Sequence, residues 1–207
     1  MGLTAEQIAA SIDALCAAEP RFAEALARVG YPAPRIRERG YETLLRTIVG
    51  QQVSVKAADA MWRKLAGEVG TEPAAILAAS DEALRAAGLS RQKASYARSL
   101  ADEVTSGRLD LADLPGDDEE AIAALTRIKG IGRWSAEIYL LFAEGRADIW
   151  PAGDLAVQIE IGRILGHDAR PSEKMVRELA EAWRPHRGAL AIFAWHHYGA
   201  GPDAAPV

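Results

Sequence analysis

The sequence predicts an all-α protein, because signals that start and stop helices recur along the chain while the period-two alternation typical of β-strands is absent. Residues Thr4 to Gln7 form a capping box, which predicts a helix that continues to about Ala18. Pro20 is placed to open a second helix, and Gly30 is placed to end it. Of the 207 residues, 49% are hydrophobic, which is enough to build one large or two small domains.

Helix signals continue beyond a proline-rich connector at residues 31–34, which we interpret as a domain boundary. Serines at positions 54, 80 and 90 precede apolar periodic segments and are expected to cap helices. The run of acids at 117–120 is expected to be a solvated helix start. The further predicted helices cover residues 41–49, 54–65, 80–88, 90–107, 117–125, 134–142, 155–165, 173–183 and 187–198.

The stretch from residue 125 to 158 carries the strongest functional signal. Its turn, Ile-Lys-Gly-Ile-Gly at 128–132, leads into a helix whose apolar residues at 134, 138, 141 and 142 recur at helical spacing. Two glycines allow close approach to the backbone, and the amides of a helix's first turn, aided by the helix dipole, suit an anion. We therefore predict a phosphate-binding site formed by Lys129, Gly130, Gly132, Arg133 and Ser135.

One carboxylate follows this helix after a loop that contains Trp150, Pro151 and Gly153. Asp154 lies 22 residues beyond Gly132. A lone aspartate before a helix is most often an N-cap. A capping position would also fix the direction of the carboxylate, so a structural and a catalytic role are compatible.

These residues resemble a known family. The sequence Gly-Ile-Gly at 130–132 followed by Asp154 is similar to the helix-hairpin-helix and the Gly/Pro-rich loop with aspartate of the helix-hairpin-helix (HhH-GPD) DNA glycosylase superfamily. The segment Ile-Val-Gly-Gln-Gln-Val-Ser at 48–54, together with Trp134 and Trp195, resembles the 3-methyladenine DNA glycosylase II branch. The resemblance covers roughly residues 40 to 200.

The resemblance implies two helical subdomains with an active site in the cleft between them. Residues 35–143 would form one subdomain with the wedge loop and the hairpin. Residues 1–34 and 144–207 would form the other, which carries the catalytic aspartate.

The resemblance also implies a chemical role for Asp154. Hydrolysis of an N-glycosidic bond generates positive charge on the deoxyribose, which an ionised carboxylate stabilises while it orients the attacking water. We expect Asp148 to be a surface residue. Relatives that also cut the strand use a Schiff-base lysine where this chain has Trp134, and an indole cannot form an imine. The enzyme is therefore expected to lack lyase activity at abasic sites.

The remaining site residues are also assigned by resemblance. Gln52 would be the wedge that fills the gap left by a flipped base, and Gln51 would contact the opposite strand, although two glutamines at a helix break are usually only exposed polar residues. The base pocket would be lined by Trp134, Trp195, Ile138, Leu155 and Tyr41. For both tryptophans, core packing is the alternative. We expect His196 and His197 to face the surface or a phosphate.

The expected substrates are the alkylated purines 3-methyladenine and 7-methylguanine in duplex DNA. A neutral purine needs a proton donor to leave, and the motif supplies no second carboxylate or histidine beside Asp154. A cationic alkylated base leaves without that help. The same fold acting on uracil, hypoxanthine or oxidised bases is one alternative. A non-catalytic DNA-binding protein is another.

The amino-acid composition limits which cofactors and partners the protein could have. The net charge of −5 is the wrong sign for a protein that coats DNA, so contact with DNA must be local. One cysteine excludes a four-cysteine iron–sulfur cluster and an intrachain disulfide. The chemistry requires no cofactor, although the resemblance implies a monovalent cation, Na⁺ or K⁺, at the carbonyls of Thr126, Ile128 and Gly130. We expect a cytoplasmic monomer with no membrane segment.

Overall fold

A computed structural model of the chain describes residues 2–200 and contains helices but no β-strand within that range, so the predicted all-α class is confirmed. The α-helices, in chain order, are α1 (Ala5–Ala18), α2 (Pro20–Val29), α3 (Tyr41–Gly50), α4 (Val55–Glu68), α5 (Pro73–Ala78), α6 (Asp81–Ala86), α7 (Arg91–Thr105), α8 (Asp118–Thr126), α9 (Arg133–Tyr139), α10 (Leu155–Ile164), α11 (Glu173–Leu179) and α12 (Arg187–Ala200). A π-helical turn follows α9 at Leu140–Glu144, and a 3₁₀ turn follows α11 at Ala180–Trp183.

The helices form two compact units. The terminal unit runs from the N-terminus to Arg37 and resumes at Leu140, and the central unit is Glu38–Tyr139. The sequence placed these two boundaries after residues 34 and 143. None of the helices in the described part of the chain is long and apolar enough to cross a membrane.

The terminal unit is built around α12, which packs on α1, α2 and α10. Its core includes Ile8 and Ile12 of α1, Phe22 of α2 and Phe193 of α12, each at most 1% exposed. The capping box predicted at the start of α1 is confirmed, since the side chain of Thr4 accepts a hydrogen bond from the Gln7 amide at 3.2 Å and the Gln7 side chain accepts one from the Thr4 amide at 2.9 Å.

The central unit is built around α7, which packs on α3, α5 and α6, while α8 packs on α9. The serine caps are confirmed for α4, α6 and α7, because Ser54, Ser80 and Ser90 each accept a hydrogen bond from an amide in the first turn. Helix α5 was not predicted. It is six residues long and its capping residue, Glu72, makes no side-chain cap bond, so Pro73 is its main local start signal.

The second helix of the hairpin differs from the prediction of one helix over 134–142. Helix α9 ends at Tyr139, and the chain widens into the π turn whose residues Leu140 to Ala143 are all buried. Apolar periodicity marks the buried face but does not distinguish the two windings. Helix α12 also extends two residues past its predicted end at 198.

Asp148 is an ion-pair partner inside the terminal unit, which corrects the expectation of a surface residue. Its carboxylate accepts two hydrogen bonds from Arg187, both at 2.8 Å, and one from Arg184 at 2.6 Å. The side chains of Asp148 and Arg187 are only 19% and 9% exposed. A charge this far from water needs its partner.

We expect Asp148→Asn to lower the free energy of unfolding by about 2 kcal/mol, since it leaves the buried Arg187 guanidinium with Glu181 as its remaining carboxylate. Urea unfolding monitored by circular dichroism measures the change. Asp59→Asn, at an exposed position of α4, is the control and should change the stability by less than about 0.5 kcal/mol. Equal stabilities for the two variants would contradict the ion-pair assignment.

Candidate active site

Asp154 occupies the N-cap of α10, so its predicted capping role is confirmed. Its Oδ1 atom accepts a hydrogen bond from the Val157 amide at 3.0 Å and another from the indole Nε1–H of Trp195 at 3.1 Å. The side chain is half-buried. Two donors on one oxygen fix the direction of the carboxylate, which is the geometry required of a group that meets developing charge.

Trp195 is half-buried and does more than fill the core. Its ring packs against Phe142 with 5.6 Å between ring centroids and an interplanar angle of 38°. Its indole N–H donates to Asp154, which lies 41 residues earlier in the chain. One side chain therefore both packs against Phe142 and holds Asp154, and no local sequence pattern indicates that hydrogen bond.

The loop before Asp154 is held at two points. The Gln158 side chain donates to the Ala152 carbonyl at 2.8 Å in a buried position, and the Trp150 indole donates to the Val176 carbonyl at 3.3 Å. The Asp154 amide donates to the Pro151 carbonyl at 2.9 Å. Gln158 lies four residues beyond the aspartate on α10, and sequence reasoning did not identify it.

A second carboxylate lies near this loop. A Cβ built on Gly153 would be 3.5 Å from Oε2 of Glu173, so the Glu173 carboxylate lies directly over the residue before Asp154. Its Oε1 accepts a hydrogen bond from Arg177 at 2.8 Å, and its side chain is 53% exposed. The motif gave no sign of Glu173, because it lies on another helix.

The two hairpin glycines have different environments. Gly130 has φ +83°, and a Cβ there would lie 2.1 Å from the ring of Tyr96. Gly132 is exposed, and a Cβ there would meet nothing within 4 Å. Gly130 is therefore required for contact inside the protein, whereas Gly132 leaves the outer face of the turn open.

Some backbone groups of the hairpin turn form hydrogen bonds within the central unit. The Lys129 amide donates to Ser99 Oγ at 3.0 Å, and the Ile131 amide donates to the Ile128 carbonyl at 3.0 Å. The first hydrogen bond of α9 runs from the Ala136 amide to the Gly132 carbonyl at 3.0 Å. The preceding amides of an α-helix, here including that of Ser135, have no intrahelical acceptor, and the predicted anion site stays a prediction.

The Arg133 side chain is bound to carboxylates of its own hairpin. It donates to Glu119 through both terminal nitrogens, one of them at 2.8 Å, and to Glu137 through Nε at 2.9 Å. The hydrogen bonds to Glu119 raise the pKa of Arg133. The guanidinium is therefore paired within the hairpin, and its contact with a phosphate stays a prediction, as does that of the exposed Lys129 side chain.

The predicted wedge loop is a tight turn between α3 and α4. Gln52 is exposed and has φ +56°, an uncommon conformation for a residue other than glycine. Gln51 points inward, and its Nε2 donates to the Gly130 carbonyl at 2.8 Å. The side chain that was expected to contact the opposite strand is therefore bound to the hairpin.

The other predicted pocket residues lie in both units. In the central unit, Trp134 is 48% exposed, which excludes core packing, and Ile138 is buried at 8% exposure. In the terminal unit, Leu155 is 56% exposed beside Asp154.

Tyr41 lies along a cavity of about 670 Å³ in the central unit, together with Arg39, Gly107 and residues 109–112. Its hydroxyl oxygen is buried and has no hydrogen-bond partner among residues 2–200. Burial, and secondly the Glu72 carboxylate, raises the pKa of Tyr41. The structure therefore places Tyr41 beside this cavity, and a role in a base pocket stays a prediction.

Both histidines of α12 have internal partners, which corrects the expectation that they face the surface or a phosphate. His196 Nε2 lies 2.9 Å from the Val29 carbonyl. His197 is 7% exposed, and its Nδ1 lies 2.5 Å from a carboxylate oxygen of the fully buried Glu160. The environment of each histidine is determined by a residue that is far away in the sequence.

Two basic side chains of α7 also have partners within the central unit. Lys93 is 9% exposed and donates to the Val49 carbonyl at 2.7 Å, and burial lowers its pKa. Arg98 donates to Asp81 and, at 2.8 Å, to the Ala79 carbonyl. Lys93 is therefore a buried charge, whereas Arg98 is a partly exposed charge paired within the central unit.

Comparison with known proteins identifies the family. The sequence pattern that defines the HhH-GPD superfamily of base excision DNA repair proteins matches residues 45–185. The chain belongs to this superfamily. The matched region contains the wedge loop, the hairpin and Asp154.

Three HhH-GPD relatives are informative. The DNA-3-methyladenine glycosylase 1 of Schizosaccharomyces pombe is 32% identical over 166 residues, which cover 77% of this chain and 72% of that protein. The crystal structure of a DNA-3-methyladenine glycosidase from Bacillus halodurans has a TM-score of 0.82 and 31% identity, covering 93% of this chain and 89% of that one. The structure of the S. pombe 3-methyladenine DNA glycosylase in complex with abasic DNA has a TM-score of 0.75 and 28% identity, covering 95% and 99%.

Some of the hairpin carbonyls that the HhH-GPD resemblance implies as cation ligands accept hydrogen bonds within the protein. The Ile128 carbonyl accepts from the Ile131 amide, and the Gly130 carbonyl accepts from Gln51. Thr126 ends α8, where carbonyl groups and the helix dipole favour a cation. Oxygen donors of this kind fit Na⁺ or K⁺, with Thr126 as the best-suited ligand, and the described residues hold no cluster of three or more acidic, histidine or cysteine side chains for another metal.

The two hairpin glycines should respond differently to the same substitution. We expect Gly130→Ala to lower the free energy of unfolding by about 2 kcal/mol or more, because the methyl group meets the Tyr96 ring and the left-handed backbone costs about 1–2 kcal/mol. Gly132→Ala should change it by less than about 0.5 kcal/mol. Urea unfolding of both variants measures the difference, and similar losses would contradict these environments.

Proposed function

We propose that the protein is a monofunctional DNA glycosylase of the DNA-3-methyladenine glycosylase II type. It hydrolyses the N-glycosidic bond of the alkylated purines 3-methyladenine and 7-methylguanine in duplex DNA, as a step of base excision repair. The observation that carries the proposal is the carboxylate of Asp154, fixed by Trp195 and the α10 amide, in a chain of the HhH-GPD superfamily. The named relatives at 28–32% identity support the substrate class.

Asp154 acts on the sugar. As the base departs, positive charge develops on the deoxyribose, and a fixed carboxylate stabilises that charge without reorganising. Oδ1 is held by two N–H donors, so the carboxylate keeps its direction as the bond breaks. The same group orients the attacking water and accepts its proton. Hydrolysis at this site requires no cofactor.

The exposed indole of Trp134 is suited to the base. An aromatic face attracts a cationic purine more strongly than a neutral one, because a cation–π attraction adds to stacking. Trp134 also stands where lyases of the superfamily have a lysine. Without an amine there, no imine forms with the sugar, and the reaction stops at the abasic site.

Duplex DNA is the partner, and the protein acts as a monomer. The open face of Gly132 and the amides at the start of α9 approach a phosphate, while the exposed Gln52 enters the stack from which the base has been flipped. Flipping costs a few kcal/mol, which a filled gap partly offsets. A protein that only bound DNA would not need the hydrogen bond from Trp195 to Asp154.

The proposal is tested by base release from methylated duplex DNA. Asp154→Asn keeps an N-capping side chain, so folding should persist while release of 3-methyladenine falls by at least about 100-fold. Asp117→Asn makes the same change at the N-cap of α8 and should retain activity. After base release by the wild type, the DNA strand should stay intact. Borohydride should trap no covalent complex between the enzyme and the DNA.

Full release by Asp154→Asn would remove this residue from the mechanism. No release by the wild type would favour a DNA-binding protein without catalysis. Release of uracil or an oxidised base in preference to methylated purines would reassign the substrate within the same fold.

A second test concerns the indole N–H. We expect Trp195→Phe to lower the rate of base release by about tenfold, because it removes a hydrogen bond to a charged group but keeps a ring against Phe142. Trp183→Phe, which changes an indole packed edge-on against Phe22 and Trp150, is the control. Trp183→Phe should lower the free energy of unfolding and leave the rate of base release unchanged. Equal rates for wild type and Trp195→Phe would show that the bond does not orient Asp154.

A further inference from the structure

The turn between α3 and α4 carries two glutamines with opposite roles. Gln52 is exposed at φ +56°, whereas Gln51 is half-buried and donates from Nε2 to the Gly130 carbonyl at 2.8 Å. A carbonyl only accepts hydrogen bonds, so the amide orientation is fixed by its partner. The bond joins residues that are 79 positions apart in the sequence.

The hairpin end of this bond is rigid. Gly130 lies against the ring of Tyr96, which leaves no space for a side chain, and the neighbouring Lys129 amide donates to Ser99 Oγ. Tyr96 and Ser99 are three residues apart on α7 and therefore lie on one face of that helix. The Gly130 carbonyl is thus presented to Gln51 by a supported backbone.

The wedge end is supported by the same helix. Lys93, three residues before Tyr96, donates from Nζ to the Val49 carbonyl at 2.7 Å and is buried. A cation at this position satisfies a carbonyl at the end of α3 and interacts favourably with the helix dipole. One helix, α7, therefore contacts both the root of the wedge loop and the hairpin turn.

We propose that Gln51 is a positioning residue that couples the wedge to the phosphate-binding hairpin, and that its side chain is not a contact to the opposite DNA strand. This inference rests on the proposed function, since it concerns how the protein engages duplex DNA. Binding of a phosphate at Gly132 then fixes where Gln52 enters the stack. The bond acts by setting the relative position of two DNA-contacting groups, and it takes no part in the chemistry.

The experiment is a double-mutant cycle on DNA affinity, measured with a duplex that contains a tetrahydrofuran abasic-site analogue. Gln52→Ala removes the wedge side chain at the same backbone conformation, and Gly132→Ala places a methyl group on the open face of the hairpin. In the wild-type background we expect the two effects on Kd to be non-multiplicative by about tenfold, because a phosphate displaced by the added methyl group already misaligns the duplex with the wedge.

The same cycle is then measured in the Gln51→Met background, which keeps the side-chain length and removes the donor. We expect the two effects to become multiplicative within about twofold. Arg98→Met, which removes donors to the Ala79 carbonyl from the same helix, is the control background and should retain the coupling. Thermal unfolding establishes that each variant is folded.

Persistent coupling in Gln51→Met, or multiplicative effects in the wild type, would overturn the inference. Lower affinity in Gln51→Met with the coupling unchanged would instead identify Gln51 as a direct DNA contact. These outcomes leave the proposed function intact if the wild type releases 3-methyladenine. A wild type that neither binds the abasic duplex nor releases a base would overturn both.

Discussion

The hydrogen bond from Trp195 to Asp154 is the interaction on which the functional interpretation depends. It brings together a residue at the start of α10 and a residue near the end of α12, and it adds a second donor to an oxygen already held by the helix amide. An aspartate that only caps a helix needs the first of these contacts. The second gives the carboxylate a fixed direction, which matters when the charge it faces exists only during the reaction.

The elements of the fold were largely predictable because their signals are local. Thr4, Pro20, Ser54 and Asp154 each satisfy amides or backbone constraints within a few residues, and the structure uses all four as the sequence indicates. Helix α5 lacks such a cap bond and was missed. The π turn after α9 was missed because a buried apolar run looks the same in either winding.

The candidate site was less predictable, because its residues are defined by partners far away in the sequence. Asp148 and His197 carry polar side chains typical of a surface, yet each is bound to a charged group from a distant helix. Gln158 and Glu173 have no motif that points to the aspartate loop. A family resemblance located Asp154, and only the three-dimensional contacts showed what holds it.

The internal pairing of basic residues bears on how the protein should respond to ionic strength. Arg133, Lys93 and Arg98 are bound to carboxylates or carbonyls of the protein, so these three side chains are poorly placed to displace the counterions condensed on a duplex. With a net charge of −5, association gains little from long-range attraction. Its affinity for DNA should therefore fall with added salt along a shallow slope, and recognition should depend on shape and short-range contact at the lesion.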